Sequence, residues 1–136
     1  AEIRTRAAPL GDRVRFLGFV TGLEKISLLQ AADLFVLPSH QENFGYALFE
    51  ALAAGTVVIT SRDVDTWPEV VESGGGIAIT RDATCLADTI ESVLSDPSRR
   101  AEMEVAGRAW VLKNLHPNAV VARYEALYHS VMSERP

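Results

Sequence analysis

The chain has 136 residues, 48% hydrophobic and 23% charged, which is enough for one compact domain with a real core and too little for two. A formal net charge of −5 argues against a nucleic-acid footprint, which is basic and clustered. It does not argue against a phosphorylated ligand, because one anion site needs only a few local donors.

The opening "AEIRTRAAPLGDR" lacks the apolar centre of a signal peptide and reads as an abrupt start, the end of a helix cut off upstream. "VRFLGFV" (Val14–Val20) is β-branched and aromatic and predicts a first strand. "GLEKISLLQAA" follows as a helix with Leu23, Ile26 and Leu29 on one stripe. "ADLFVLPS" predicts a second strand. Its unbroken apolar run, Leu34 to Leu37, points to cover on both faces, the mark of a parallel sheet. A helix over Tyr46–Ala54 stops at Gly55, and "TVVIT" is a third strand. Thr66 stands three residues before Glu69, a capping-box pattern for a short helix to Ser73.

Gly74, Gly75 and Gly76 precede a strand, "GIAIT", so they read as a turn rather than a phosphate cradle. Asp82 is placed to cap the next helix, with the stripe Leu86, Ile90, Val93 and Leu94. On that helix Cys85, the single cysteine, reads as a buried structural thiol. It excludes an internal disulfide and fits a reducing compartment. "DPS" at Asp96–Ser98 starts a helix through Met103, Val105, Ala109 and Leu112. "HPN" interrupts it. The last helix is amphipathic, with Val120, Val121, Tyr124, Leu127, Tyr128 and Val131. No apolar run approaches the ~18–20 residues that span a bilayer.

Strand and helix alternate four times and helices finish the chain, so the expected fold is α/β with a doubly wound, Rossmann-like parallel sheet. The expected domain is single, residues 1–136, with C-terminal helices over roughly 97–132. Ligands in such sheets bind at the carboxyl ends of the strands, which directs attention to the loops after Val20, Leu37, Thr60 and Thr80.

The loop "PSHQENFGYA" runs into the Tyr46 helix. Asn43 is a candidate cap and Gly45 leaves room for a ligand to approach the backbone. First-turn N–H groups have no partner inside a helix and carry partial positive charge, which suits phosphate; a plain capped turn is the simpler reading. Glu50 lies inside the helix with Tyr46, Ala47, Ala53 and Ala54 three and four residues away, and no Lys or Arg among them. Two readings stand for it. A carboxylate on a small-residue face can accept both hydroxyls of a vicinal diol such as ribose, or it can pair with an Arg from elsewhere in the fold. Glu42 and Glu50 do not suit a glycosidase pair, whose carboxyls stand roughly 5–9.5 Å apart. A loop position and a second-turn position put them nearer ~10 Å or more, as two contacts on one long ligand.

Asp63 and Asp65, in "DVD", admit a divalent-metal reading through oxygen ligands at a strand end; turn and pre-cap roles are simpler. His40, close to Glu42, reads as an exposed loop residue that could touch phosphate or sugar. His116 lies at a helix break and His129 on the wet side of the last helix, and no His/Cys cluster has zinc spacing.

"ENFGYALFE", an E-x7-E motif preceded by "LPS" and followed by "ALAAGTVVIT", resembles the donor-site signature of retaining glycosyltransferases of the GT-B fold, family 4, also called group 1. The similarity extends to "VRFLGFV", "ADLFVLPS", "WPEVVESGGGIAI" and "LADTIESVLSDPSRRAEM", almost the whole chain, but only the C-terminal domain of such an enzyme. The resemblance implies that Glu42 contacts the donor sugar and stabilises charge during transfer, and that Glu50 holds the ribose hydroxyls. Phe44, Gly45, Tyr46 and Ala47 would offer backbone amides to sugar and diphosphate, with Ser39 and Asn43 in the same loop. Gly18, Phe19 and Val20 would meet the nucleobase, largely through main chain.

It further implies a nucleotide-diphosphate sugar as donor, an unknown sugar, lipid or polysaccharide acceptor, no cofactor, and no metal. Its partner would be the N-terminal domain of the same enzyme, with self-association of the fragment through the last helix. The expected place is the cytoplasm, or the inner membrane face for the full-length protein. The chain departs from the family in three respects. It begins after the upstream strand and its basic pair, for which Arg4, Arg6, Arg13 and Arg15 do not stand in; it lacks the acceptor domain; and it has "DVDTW" where a Gly-Gly precedes "PE". A nucleotide-diphosphate-binding module without transfer activity and a sugar-nucleotide epimerase of the same architecture are the competing functions.

Overall fold

The computed structural model describes residues 2–133. Helix α1 (Glu2–Ala7) and a 3-10 turn (Ala8–Arg13) lead into α2 (Gly22–Ala31) and strand β1 (Leu34–Leu37). Helix α3 (Tyr46–Ala54), β2 (Val57–Ser61), α4 (Trp67–Glu72), β3 (Gly76–Ile79), α5 (Ala83–Leu94), α6 (Pro97–Asn114) and α7 (Pro117–Ser133) follow. The three strands form one parallel sheet in the order β1-β2-β3, with Leu34 opposite Val57 and Ile59 opposite Ile77. The α/β parallel architecture matches the reading from sequence.

The expected strand Val14–Val20 does not form: among the described residues the sheet has three strands, not four. β-branched and aromatic residues favour extended backbone, but a strand needs a neighbour to receive its hydrogen bonds, and this segment has none. Phe16, Leu17 and Phe19 accordingly remain exposed, Phe19 at 96%. Strand β1 is half-buried along its length, as an edge strand is, rather than covered on both faces. The central strand β2 is wholly buried.

The core is built by α3. Leu48, Ala51 and Leu52 are buried from solvent together with Val58, Val64 and Val70. Helix α3 rests on β2 and receives α2 and α6. Gly55, in the left-handed region at φ 87°, ends α3 as its sequence implied. Asp82 and Asp96 cap α5 and α6 by accepting from the N–H groups of Cys85 (2.9 Å) and Arg99 (3.0 Å). The expected capping box at Thr66 is absent. Thr66 does precede α4, but its hydroxyl bonds elsewhere. Cys85 is half-buried rather than buried.

Where α6 crosses the turn before β3, backbone meets backbone: a Cβ on Gly75 would lie 2.5 Å from the Gly107 Cα. Gly74 and Gly75 therefore serve the turn and this crossing. The amphipathic stripe of α7 stays open to solvent, with Val121, Tyr124, Leu127, Tyr128 and Val131 all at least half exposed. No helix among the described residues is long and apolar enough to cross a membrane.

Candidate functional site

The loop from Pro38 to Gly45 leaves the carboxyl end of β1 and delivers the chain to α3. A loop without regular structure holds its shape only if its backbone groups find partners. Here the partners come from β2 and the turn after it. Thr60 Oγ1 donates to the Leu37 carbonyl (3.1 Å), Ser61 Oγ to that of Ser39, and Thr66 Oγ1 to that of Phe44 (2.7 Å). Glu42 forms a parallel bridge with Val64, and the Asp65 N–H donates to the Glu42 carbonyl at 3.1 Å. Two loops at the carboxyl end of the sheet are thus laced together.

Gly45 is the N-cap of α3, at φ 66° and ψ 54°, with no side chain capping the helix. Asn43 does not fill that role, which corrects the expectation. Gly45 suits the position for two reasons: the left-handed backbone, and a Cβ there would lie 2.9 Å from Leu48 Cδ1. The start of α3 also has no acidic residue in its first turn, so its partial positive charge is not answered from within the helix.

Glu42 is half-buried, and Ser39 Oγ donates to its Oε1 at 3.4 Å. Glu50 is partly exposed, and its Oε1 lies 2.6 Å from Nζ of Lys25 on α2. The alternative reading of Glu50, a partner from elsewhere in the fold, is therefore met, with Lys in place of Arg. The small-residue face is met too: Ala53 and Ala54 line a groove of ≈ 440 Å³ together with Glu50, Lys25 and Arg108. Glu50 also borders a second, mainly apolar groove of ≈ 730 Å³ between α3, α6 and α7, with Phe44, Tyr46, Phe49 and Arg123. Gln41 to Tyr46 surround a hollow of ≈ 530 Å³. Phe44 and Tyr46 border both that hollow and the larger groove, and their rings are 4.6 Å apart. The two glutamates therefore line different cavities that share an aromatic rim.

Asn43, Phe44, Gly45, Tyr46 and Ala47 run without a break from Glu42 into α3, and Ser39 bonds Glu42 from three residues before it. Gly18, at φ 73°, Phe19, at a bend, and Val20 lie in the irregular segment before α2 and line none of these three cavities. Asp63 faces Arg81 (3.1 Å) and, at 3.9 Å, the exposed His40. The Arg81 guanidinium beside Asp63 is poor company for a cation, and among the described residues no group of three or more His, Cys, Asp or Glu is gathered for one.

A sequence model of the glycosyl transferases group 1 family matches residues 2–110, most of the chain. The chain belongs to this family. Among its relatives, N-acetyl-alpha-D-glucosaminyl L-malate synthase of Bacillus anthracis is 34% identical over 125 residues, covering 90% of this chain and 32% of that protein. Phosphatidyl-myo-inositol mannosyltransferase of Mycobacterium leprae (strain TN) is 32% identical over 133 residues, covering 96% of this chain and 35% of the relative. The chain spans about a third of the length of these curated relatives.

Solved structures agree with the assignment. Sucrose-phosphate synthase from Thermosynechococcus elongatus superposes with a TM-score of 0.80 at 30% identity, over 98% of this chain and 34% of that one. The C-terminal domain of a group 1 family glycosyl transferase from Francisella tularensis matches with a TM-score of 0.69 at 28% identity, over 84% of this chain and 60% of that one. This group 1 glycosyltransferase chain has the α/β fold of its structural neighbours.

Sequence reasoning missed the residues that hold the site. Lys25 carries no local signal, because its partner is 25 positions away. Thr60 and Ser61 did carry one: two hydroxyls at the end of a strand otherwise apolar from Val57 to Ile59.

Proposed function

We propose that the chain is the nucleotide-sugar donor domain of a retaining, metal-independent glycosyltransferase of hexosyltransferase type. The observation that carries the reading is the start of α3: an uncapped helix terminus at Gly45, with Glu42 before it and Glu50 one groove away. In this reading the terminus faces the donor diphosphate, where fixed N–H dipoles oppose growing negative charge as the sugar–phosphate bond breaks. Glu42 orients the sugar and stabilises positive charge at its reacting carbon. Glu50 clasps the ribose; the acceptor hydroxyl oxygen bonds to that carbon on the face the diphosphate leaves, and its proton passes to the departing phosphate oxygen.

Gly18, Phe19 and Val20 meet the base through main chain, and Ser39, Asn43, Phe44, Tyr46 and Ala47 complete the donor loop. The acceptor, a sugar, lipid or polysaccharide, is bound by an N-terminal domain of the same enzyme, which works in the cytoplasm or at the inner membrane face. By itself this chain binds donor weakly and turns over nothing.

The test is a titration of UDP, GDP and ADP into the chain and its Glu50→Ala variant, followed by amide chemical shifts. The expected result is movement at 44–47 and 18–20 for one nucleotide, lost in the variant. Silence at millimolar ligand overturns the reading. In a longer enzyme that carries this domain, Glu42→Ala should keep nucleotide binding and lose transfer. Retained transfer would favour a role for Glu42 outside catalysis.

A further inference from the structure

We propose that Lys25 is a positioning residue for Glu50, fixing how that carboxylate meets a vicinal diol; the inference rests on the ribose-clasp reading above. Glu50 stands on the ridge between two grooves and lines both. On the α2 side its neighbours Ala53 and Ala54 are too small to wall it in, and the Glu50 side chain is 44% exposed. A glutamate with three rotatable bonds in such a place would sweep between the grooves, and ordering it on binding would cost affinity.

Lys25 removes that freedom. Its Nζ lies 2.6 Å from Oε1, a charge-assisted bond between helices that pack on each other. An ammonium is a compact donor and takes one lone-pair site on one oxygen. A carboxylate has about four such sites, so Oε2 and the outer side of Oε1 remain open to two hydroxyls. Arg108 lines the same groove and Arg123 the other, but neither is ion-paired with Glu50. Lys25 therefore acts through Glu50 and needs no contact of its own with the ligand.

Positioning and direct contact differ in what they do to sugar selectivity. Binding of UDP, GDP and ADP is compared with that of the matching 2′-deoxynucleoside diphosphates, which lack one hydroxyl of the diol. The wild-type chain should prefer the ribonucleotide, and Glu50→Gln should abolish that preference. Lys25→Met should reduce it about threefold to tenfold, the span of one net hydrogen bond, with little change for the deoxynucleotide. Lys25→Gln, which still presents an N–H donor, should retain part of it. Urea midpoints of each variant confirm that the fold persists.

Equal losses for ribo- and deoxynucleotide in Lys25→Met would mean direct contact with the ligand and overturn the proposal. An unchanged preference with a lower unfolding midpoint would make the pair a tie between helices and also overturn it. A wild-type chain that binds but shows no preference, or a Glu50→Gln chain that keeps it, would sink the ribose-clasp reading itself.

Discussion

Gly107→Ala sets two effects of known sign against each other. Alanine within a helix is favoured over glycine by ~0.5–1 kcal/mol, and Gly107 lies inside α6, so propensity alone predicts a more stable protein. The structure predicts the reverse. A Cβ at this position would stand 2.8 Å from Leu52 Cδ2 and 2.9 Å from the Gly75 Cα. Carbon atoms rest at ~3.5–4.0 Å, so relief requires a separation larger by roughly 0.6–1.2 Å. Leu52 is 1% exposed in the centre of the core and has little room to turn. Gly75 is backbone and cannot turn at all.

Helix α6 must therefore shift as a body, and overpacking of this kind costs ~1–3 kcal/mol. Subtracting the propensity gain leaves a net loss of about 0–2.5 kcal/mol, centred near ~1 kcal/mol, or roughly 3–4 °C in Tm at that centre for a chain of this size. Gly75→Ala has no helical gain to offset its 2.5 Å approach to the Gly107 Cα, so its loss should be larger. Urea unfolding with an unchanged m-value measures both. A Gly107→Ala midpoint at or above that of the wild type would show that propensity wins and that α6 does not touch the turn before β3.

Gly45→Ala should lose ~1–3 kcal/mol, because an L-residue pays ~1–2 kcal/mol in the left-handed region and its Cβ also meets Leu48 at 2.9 Å. Gly45→Asn should recover the backbone part, and amide exchange in the first turn of α3 is the readout; equal protection in glycine and alanine forms would count against the N-cap geometry. Ser61→Ala removes a buried donor from the Ser39 carbonyl and should cost ~1–2 kcal/mol, with faster exchange at the Asp65 N–H that bonds Glu42. Unchanged stability and exchange would mean that the two loops are not coupled.

The elements legible in sequence share a property: their causes lie within a few residues. Gly55 ends α3, Asp82 and Asp96 cap α5 and α6, and the apolar runs at 34–37 and 57–59 place strands β1 and β2. Each depends on a backbone angle, a bond across three residues or a continuous stretch of one polarity. The same holds for the candidate loop, which its own composition from Ser39 to Ala47 marks out.

What the sequence left undecided has partners far along the chain. Val14–Val20 has strand composition, but composition does not supply a ladder neighbour, and the segment stays unpaired. Thr66 stands where a capping hydroxyl belongs, yet that hydroxyl donates its hydrogen bond to the Phe44 carbonyl, 22 residues earlier. Glu50 shows no basic neighbour at helical spacing and meets Lys25 across a helix interface. The amino-acid order by itself determined the family, the parallel α/β class and the stretch that carries both glutamates. Only the tertiary structure decided how those glutamates are held: the Glu50 carboxylate by Lys25, 25 residues away, and the Glu42 backbone by Val64 and Asp65, more than 20 residues on, because such contacts close through space and not along the chain.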